Sequence, residues 1–396
     1  MSPRLAFGPE IVAIPGPSVM PDQVLAAMHR PMPDIYAGEL VGVVDEIFET
    51  LPGLARTTSR PFVVIGNGHA AWAMALANTL SRDDLVLVLE CGRFGTIWAE
   101  MASFDGVRTE MLIAPDGEAV DPAAVAARLA DDAERDIKAV LMVQTDTASS
   151  VRNDVAAIRR AIDGVGHPAL LMVDAIASLG CERYEMDDWG VDVTIAASQK
   201  GLMTPPGLGL VWAGPRAIEA RATAGLCTQY WDWNFRSEDG PIYYRFCGTP
   251  PVSHLYGLRE ALRMITDEGL AARWARHRVL ADAVRASVEA WSGEGGIGFH
   301  ARHPDQRGDS VTSIATGSID AIGLSAMCRD ELGVTLGVGL GSLEGRGFRI
   351  AHMGHVSPSM VMGVLGVVET ALLRMDAPVG DSGLAAAARV IAAGVG

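Results

Sequence analysis

Between residues 60 and 215 short apolar runs alternate with helix-like stretches, and that alternation limits the chain to few folds. The runs are PFVVIGN (61–67), DLVLVLECG (84–92), KAVLMVQTD (138–146), ALLMVDAIASLG (169–180), VDVTIAAS (191–198) and GLGLVWAG (207–214). They are rich in Val, Leu and Ile and bounded by Gly, Asp or Pro. Strands covered on both faces read this way, because neither face meets water. Between runs, HAAWAMALANTLS (69–81) and DVAAIRRAIDGVG (154–166) carry apolar residues near helical spacing. Repeated strand–helix–strand units build a doubly wound, largely parallel α/β sheet.

Outside that region the pattern changes. Residues 227–253, CTQYWDWNFRSEDGPIYYRFCGTPPVS, are aromatic, polar and punctuated by Pro and Gly. A long irregular segment of this kind is usually functional or an interface. The aromatic stretch 230–235 reads as interface packing. A helical pattern follows over 254–291 and is expected to bend near Gly269. Beyond about residue 295 strands and helices resume as a smaller α+β unit, and the Ala-rich tail reads as a helix or a fraying end. The expected division is an arm at 1–16, a large unit at 17–262 and a small one at 263–396.

The chain has 396 residues, 49% of them hydrophobic, which is ample for sizeable cores. Its net charge of −16 argues against nucleic acid and anionic membrane as partners. Five scattered cysteines without a CxxC pair suggest reduced thiols and a cytoplasmic setting. The N-terminus lacks a signal-peptide layout, and no apolar run reaches the roughly 18 residues of a membrane span.

Two features carry chemistry. The first is Gly66-Asn67-Gly68-His69-Ala70-Ala71, placed after a strand and before a helix. Free N–H groups at such a helix start attract phosphate. The form also matches a dinucleotide fingerprint, and Glu90 ends the next run about where a ribose-binding acid belongs. A nicotinamide-dependent dehydrogenase is therefore one candidate, and a purely structural turn is another. The second feature is a pair. Asp174 ends one buried run, and Lys200 follows another, 26 residues on. Only two of the 32 basic residues are lysines, Lys138 and Lys200. Lys138 reads as a solvated charge. In an open α/β sheet, ligands bind beyond the carboxyl ends of strands, so Asp174 and Lys200 belong on one edge. Singly, each is more often a cap or a surface charge. Together with a phosphate turn, they suit pyridoxal 5'-phosphate: the amine forms a Schiff base, and the carboxylate keeps the pyridine nitrogen protonated.

At this point the motifs SQKGLMTPPG, VDAIASLG, GNGHAAW, PGPS (15–18), GTPPVSHLYGLREAL and FRIAHMG matter together. They resemble the class V aminotransferases of fold type I. Within that family they resemble the alanine-, serine- and aspartate–glyoxylate aminotransferases and the pyridoxamine–pyruvate aminotransferase. The resemblance spans roughly residues 10–375. It implies a ping-pong aminotransferase that uses glyoxylate as acceptor. Lys200 would form the Schiff base and shuttle the proton, and Asp174 would pair with the pyridinium. Gly68, His69 and Gln199 would line the phosphate site. Phe94 would stack on the ring, and Thr147 would bond its phenolic oxygen. Arg349 would hold the substrate α-carboxylate, with the Gly16 backbone facing it. Thr249 would reach the neighbouring subunit's phosphate, which implies a homodimer.

The chain departs from the family's usual pattern in places. DTASS replaces ESSTG around Thr147, Phe246 stands where a tyrosine is common, and Cys247-Gly248 replaces a pair of histidines. L-Aspartate is the favoured donor, with L-serine or L-alanine next. Its second carboxylate needs a cation, for which Arg245, Arg236 and Arg93 are candidates. The pairs His352/His355 and His300/His303 lack a third ligand cluster and do not read as metal sites. GVGLGSLEGRG (337–347) reads as a loop near Arg349.

Overall fold

A computed structural model describes residues 5–237 and 240–395. Residues 1–4 of the N-terminal arm, Glu238 and Asp239 of the irregular segment, and the last residue of the tail lie outside the described residues. The strands are β1 Ile11–Ala13, β2 Arg60–Gly66, β3 Leu85–Glu90, β4 Arg108–Ile113, β5 Ile137–Val143, β6 Leu170–Asp174, β7 Val193–Ala197, β8 Gly207–Ala213, β9 Gly298–Phe299, β10 Val311–Ala315, β11 Val334–Val338 and β12 Gly347–Ala351. No helix of the described residues is long and apolar enough to cross a membrane.

Seven strands form one sheet in the order β2-β8-β7-β6-β5-β3-β4. Strand β8 is antiparallel to both neighbours, and the other pairs are parallel. Successive residues face opposite sides of a sheet. Thus Leu87, Val140, Leu171 and Val173 join one core, while Val88, Leu141, Met172 and Ile195 join the other. Helices Gly68–Thr79 and Arg93–Phe104 cover one face; Glu39–Leu54, Pro122–Ala130, Val155–Gly164 and Val252–Glu268 cover the other. This double cover is why β5, β6 and β7 read as unbroken apolar runs.

Strand β4 carries no such run. It is an edge strand, RTEMLI, with every residue at least partly exposed. Half-solvated edges tolerate charge, so periodicity missed it.

The second sheet has the order β1-β11-β12-β10-β9. The N-terminal arm supplies its edge, with β1 parallel to β11. Its core includes Ile314, Leu336, Phe348 and Ile350, covered by helices Leu270–Trp291, Ala321–Asp330, Pro358–Arg374 and Gly383–Gly394. The tail is therefore a packed helix and not a frayed end. The long helical pattern is two helices, broken at Gly269, where φ is +78°. The first of them runs past residue 262, and Leu262 and Ile265 join the first sheet's core. In the aromatic segment, Trp233 is buried within the chain and stacks on Phe62 with centroids 5.4 Å apart.

Candidate active site

Asp174 is the last residue of β6, and Lys200 lies three residues past the end of the adjacent parallel strand β7. Both sit at the carboxyl edge of the sheet. Asp174 is 3% exposed. Its Oδ2 accepts from Trp72 Nε1 at 2.9 Å and its Oδ1 from the Ile176 amide at 2.7 Å. Burial outweighs these bonds and the attraction of Lys200, and pushes its pKa up to about 7. Trp72 is held in turn by stacking on Trp98, with centroids 5.5 Å apart.

Burial pulls the Lys200 ammonium down to about 8, with Arg349 adding repulsion and Asp174 opposing it. Its Nζ donates to the Pro15 carbonyl. A Cβ on Gly16 would stand 2.5 Å from that Nζ, and Gly16 has φ +100°. The arm returning from β1 thus needs glycine where it passes the amine.

The turn after β2 opens helix Gly68–Thr79. Asn67 caps it, accepting from the His69 amide at 3.0 Å. Gly68 and His69 border the same cavity as Asp174 and Lys200, and a side chain on Gly68 would strike Ile176. Gln199 borders it too, and its Oε1 is buried without a partner. An amide so placed can turn its Nε2 donor toward an anion. Phe94 and Thr147 complete the walls of a cavity of about 290 Å³. Arg349 lies behind Thr147, donating from Nη1 to its carbonyl and from Nε to the Val338 carbonyl, both at 2.7 Å. Burial lowers its pKa to about 10.

Several expected residues do not join this cavity within the chain. Thr249 is exposed on its loop. Arg245 pairs with Asp45 at 3.0 Å and lies over Phe48. Arg236 is 3% exposed, and its donors go to the carbonyls of Val63, Tyr230 and Arg245, so it braces its own loop. Arg93 is exposed and borders a separate cleft with Glu90. Lys138 is exposed, with Nζ on the Arg135 carbonyl. His352 is buried between Thr312 and the Asp309 carbonyl.

The dinucleotide alternative is corrected by topology. In a dinucleotide fold the acid ends the strand beside the glycine turn. Here four strands separate β2 from β3, so Glu90 stands about 24 Å of sheet away at ~4.8 Å per strand.

Sequence reasoning missed Trp72, Asp146 and Thr145. Asp146 is buried, accepting from the Phe94 amide at 2.8 Å and the Ala148 amide at 2.7 Å, so it fixes the loop under Phe94. Thr145 borders the cavity and donates to Glu182 at 2.9 Å. Trp72 had one local signal: it lies one helical turn beyond Gly68.

The family model for class-V aminotransferases matches residues 63–361. The chain belongs to the class-V aminotransferases. It is 36% identical over 382 residues to the serine–glyoxylate aminotransferase of Methylorubrum extorquens, covering 94% of each chain. It is 34% identical over 379 residues to the L-aspartate–glyoxylate aminotransferase of Paracoccus denitrificans, covering 95% and 94%. It superposes on the pyridoxamine–pyruvate aminotransferase of Mesorhizobium loti with a TM-score of 0.88 at 27% identity, covering 97% of each chain. Class-V aminotransferases depend on pyridoxal 5'-phosphate. The cavity of this class-V aminotransferase fits that cofactor by its own features: a buried carboxylate for the pyridinium, an amine on the same sheet edge for the aldehyde, and the helix start at Gly68 beside the Gln199 amide, whose Oε1 has no partner, for the phosphate.

Proposed function

We propose that this aminotransferase takes the amino group of L-serine, or another small uncharged L-amino acid, and passes it to glyoxylate in a ping-pong cycle. One observation carries the donor class. Arg349 is near enough to Lys200 to repel its charge, whereas Arg236 and Arg245 are engaged elsewhere in the chain and Arg93 is exposed on a separate cleft. A donor with one carboxylate needs one guanidinium. The serine–glyoxylate relative supports the same choice.

When bound, the cofactor supplies an aldehyde for amines and a ring that withdraws electrons from the donor's Cα. The protein's own residues do the rest. Asp174, fixed by Trp72 and Ile176, stabilises positive charge on the ring nitrogen. Gly68, His69 and Gln199 hold the phosphate. Phe94 and Thr147 bind the ring. Lys200 would carry the cofactor and move a proton from the donor's Cα to the cofactor's C4′ carbon in the first half, and from that carbon to the acceptor's Cα in the second. An amine titrating near pH 8 holds an appreciable neutral fraction at pH 7, as a base must. The two carbonyl bonds of Arg349 set its plane, leaving Nη2 for the substrate carboxylate. The reading includes a homodimer in which Thr249 approaches the neighbouring phosphate. Five unpaired cysteines support a cytoplasmic setting.

Aspartate is the second reading. The Arg245–Asp45 pair is partly exposed, and such pairs hold by only about 0–1 kcal/mol, so a partner subunit's substrate can outcompete it. Initial rates with glyoxylate and each donor decide the matter. We expect kcat/KM for serine to exceed that for aspartate by about tenfold or more. Higher aspartate rates that collapse selectively in Arg245→Ala would replace serine with aspartate. Borohydride reduction and digestion should place a phosphopyridoxyl mass on Lys200 and none on Lys138; an unlabelled Lys200 peptide sinks the mechanism.

A further inference from the structure

Arg273 is 2% exposed and borders no part of the cavity, yet it is tied to both of its chemical residues through the backbone. Its Nε donates to the Gly180 carbonyl at 2.6 Å, its Nη2 to the Gly201 carbonyl at 2.8 Å and its Nη1 to Glu268 at 2.9 Å. Gly180 closes the segment that starts at Asp174, and Gly201 directly follows Lys200. The two loops touch there, because a side chain on Gly201 would collide with the Leu179 carbonyl. A buried guanidinium is costly, and apolar side chains fill space more cheaply. They cannot hold two carbonyls from different loops at a fixed separation, which a planar fork of donors does.

The neighbouring carbonyls are held from the other side. The Ser18 amide donates to the Gln199 carbonyl at 2.9 Å, and Ser18 Oγ donates to the Lys200 carbonyl at 2.7 Å. Three consecutive carbonyls, 199 to 201, therefore have fixed donors. The next turn of the Arg273 helix reaches the segment that follows β12 and Arg349. Arg276 donates to the Val356 carbonyl at 2.8 Å, and His277 accepts from the Gly354 amide at 3.1 Å.

We propose that Arg273 is a positioning residue for Lys200: its fork locks the Gly201–Leu202 peptide, one residue beyond Lys200, against the loop that follows Asp174, so the amine returns to one place after each half-reaction. This rests on the role of Lys200 proposed above. Arg273→Met keeps most of the volume and removes the donors; Arg273→Lys keeps the charge but cannot span both carbonyls. With pyridoxal phosphate bound, the visible absorbance of the cofactor–lysine linkage is followed against pH, alongside kcat, KM for L-serine and hydrogen exchange across residues 200–204. For Arg273→Met we expect the absorbance midpoint to move by about half a pH unit or more. We also expect kcat to fall about tenfold or more, KM to change less than about threefold, and exchange to quicken. Arg273→Lys should lie between. A variant with an unmoved midpoint, wild-type kcat and only a lower melting temperature overturns the proposal.

If Arg273→Met does not fold, Glu268→Gln carries the same measurements, since Glu268 is 26% exposed and anchors the third arm of the fork. The same shifts, smaller, are expected; unchanged midpoint and exchange overturn the proposal. Phosphopyridoxyl labelling of the wild-type enzyme separates the two ideas. No label on Lys200 removes the premise, whereas a labelled wild type with unaltered variants removes only the part given to Arg273.

Discussion

Asp174 puts the chemistry in tension with stability. Its pKa is about 7 in the folded apoprotein and near 3.8 when unfolded, because burial disfavours the charge. Below the lower value both states are protonated and nothing is lost. As pH rises from 3.8 to 7 the unfolded chain gives up the proton first, so the apoprotein loses stability. The loss levels off above about 7, at a total on the order of 4 kcal/mol by 1.36 kcal/mol per unit. Asp174→Asn removes this titration. The melting temperature of apo Asp174→Asn relative to apo wild type should rise between pH 5 and pH 8, while the variant loses pyridoxal phosphate faster on dialysis. A flat difference across that range would contradict the buried-charge account. Lys200 titrates near 8, so capture of the cofactor by the apoenzyme should quicken as pH rises through that value, read by the growth of visible absorbance.

Two glycines at helix ends respond oppositely to one substitution. Gly269 separates Val252–Glu268 from Leu270–Trp291 at φ +78° and ψ 136°, a conformation nearly closed to L-residues. Nothing lies within 4 Å of a Cβ there, so the cost of Gly269→Ala is backbone strain alone, about 1–3 kcal/mol. Gly164 ends Val155–Gly164 without a positive φ, also with open space around a Cβ. Gly164→Ala removes unfolded-chain entropy and should stabilise by up to about 1 kcal/mol. Thermal melts of the two variants should therefore shift in opposite directions. The element boundaries show what local pattern can carry. The break at Gly269 was legible because a glycine interrupts a long apolar period. Strand β4 was not, because an edge strand half in water has no period to read. The arm's pairing of β1 with β11 was equally hidden: three residues find partners more than 300 positions away.

At the scale of the molecule, the cavity closes only because segments distant in sequence meet over one sheet edge: the turn at 66–69, the loops after β6 and β7, and the arm at Gly16. Thr249 and Arg245 lie outside it within one chain, so their part is an assembly question. Mixed dimers of Lys200→Arg and Thr249→Ala chains test it. If Thr249 serves the neighbouring site, each mixed dimer pairs an intact Lys200 with an intact Thr249, and a share of sites should retain cofactor as wild type does. Uniformly weakened retention in the mixture would place Thr249 in its own chain's site. By itself the sequence determined the α/β class, the shared edge of Asp174 and Lys200, and the glycine turn beside them. Strand burial, strand ends and helix starts are written in adjacent residues. Only the tertiary structure decided that Arg236 and Arg245 are engaged outside the cavity, that four strands separate Glu90 from the turn, and that Trp72 and Arg273 bond Asp174 and the loop beyond Lys200. A cation takes whichever acceptors surround it, and those neighbours are set by long-range packing that no local pattern encodes.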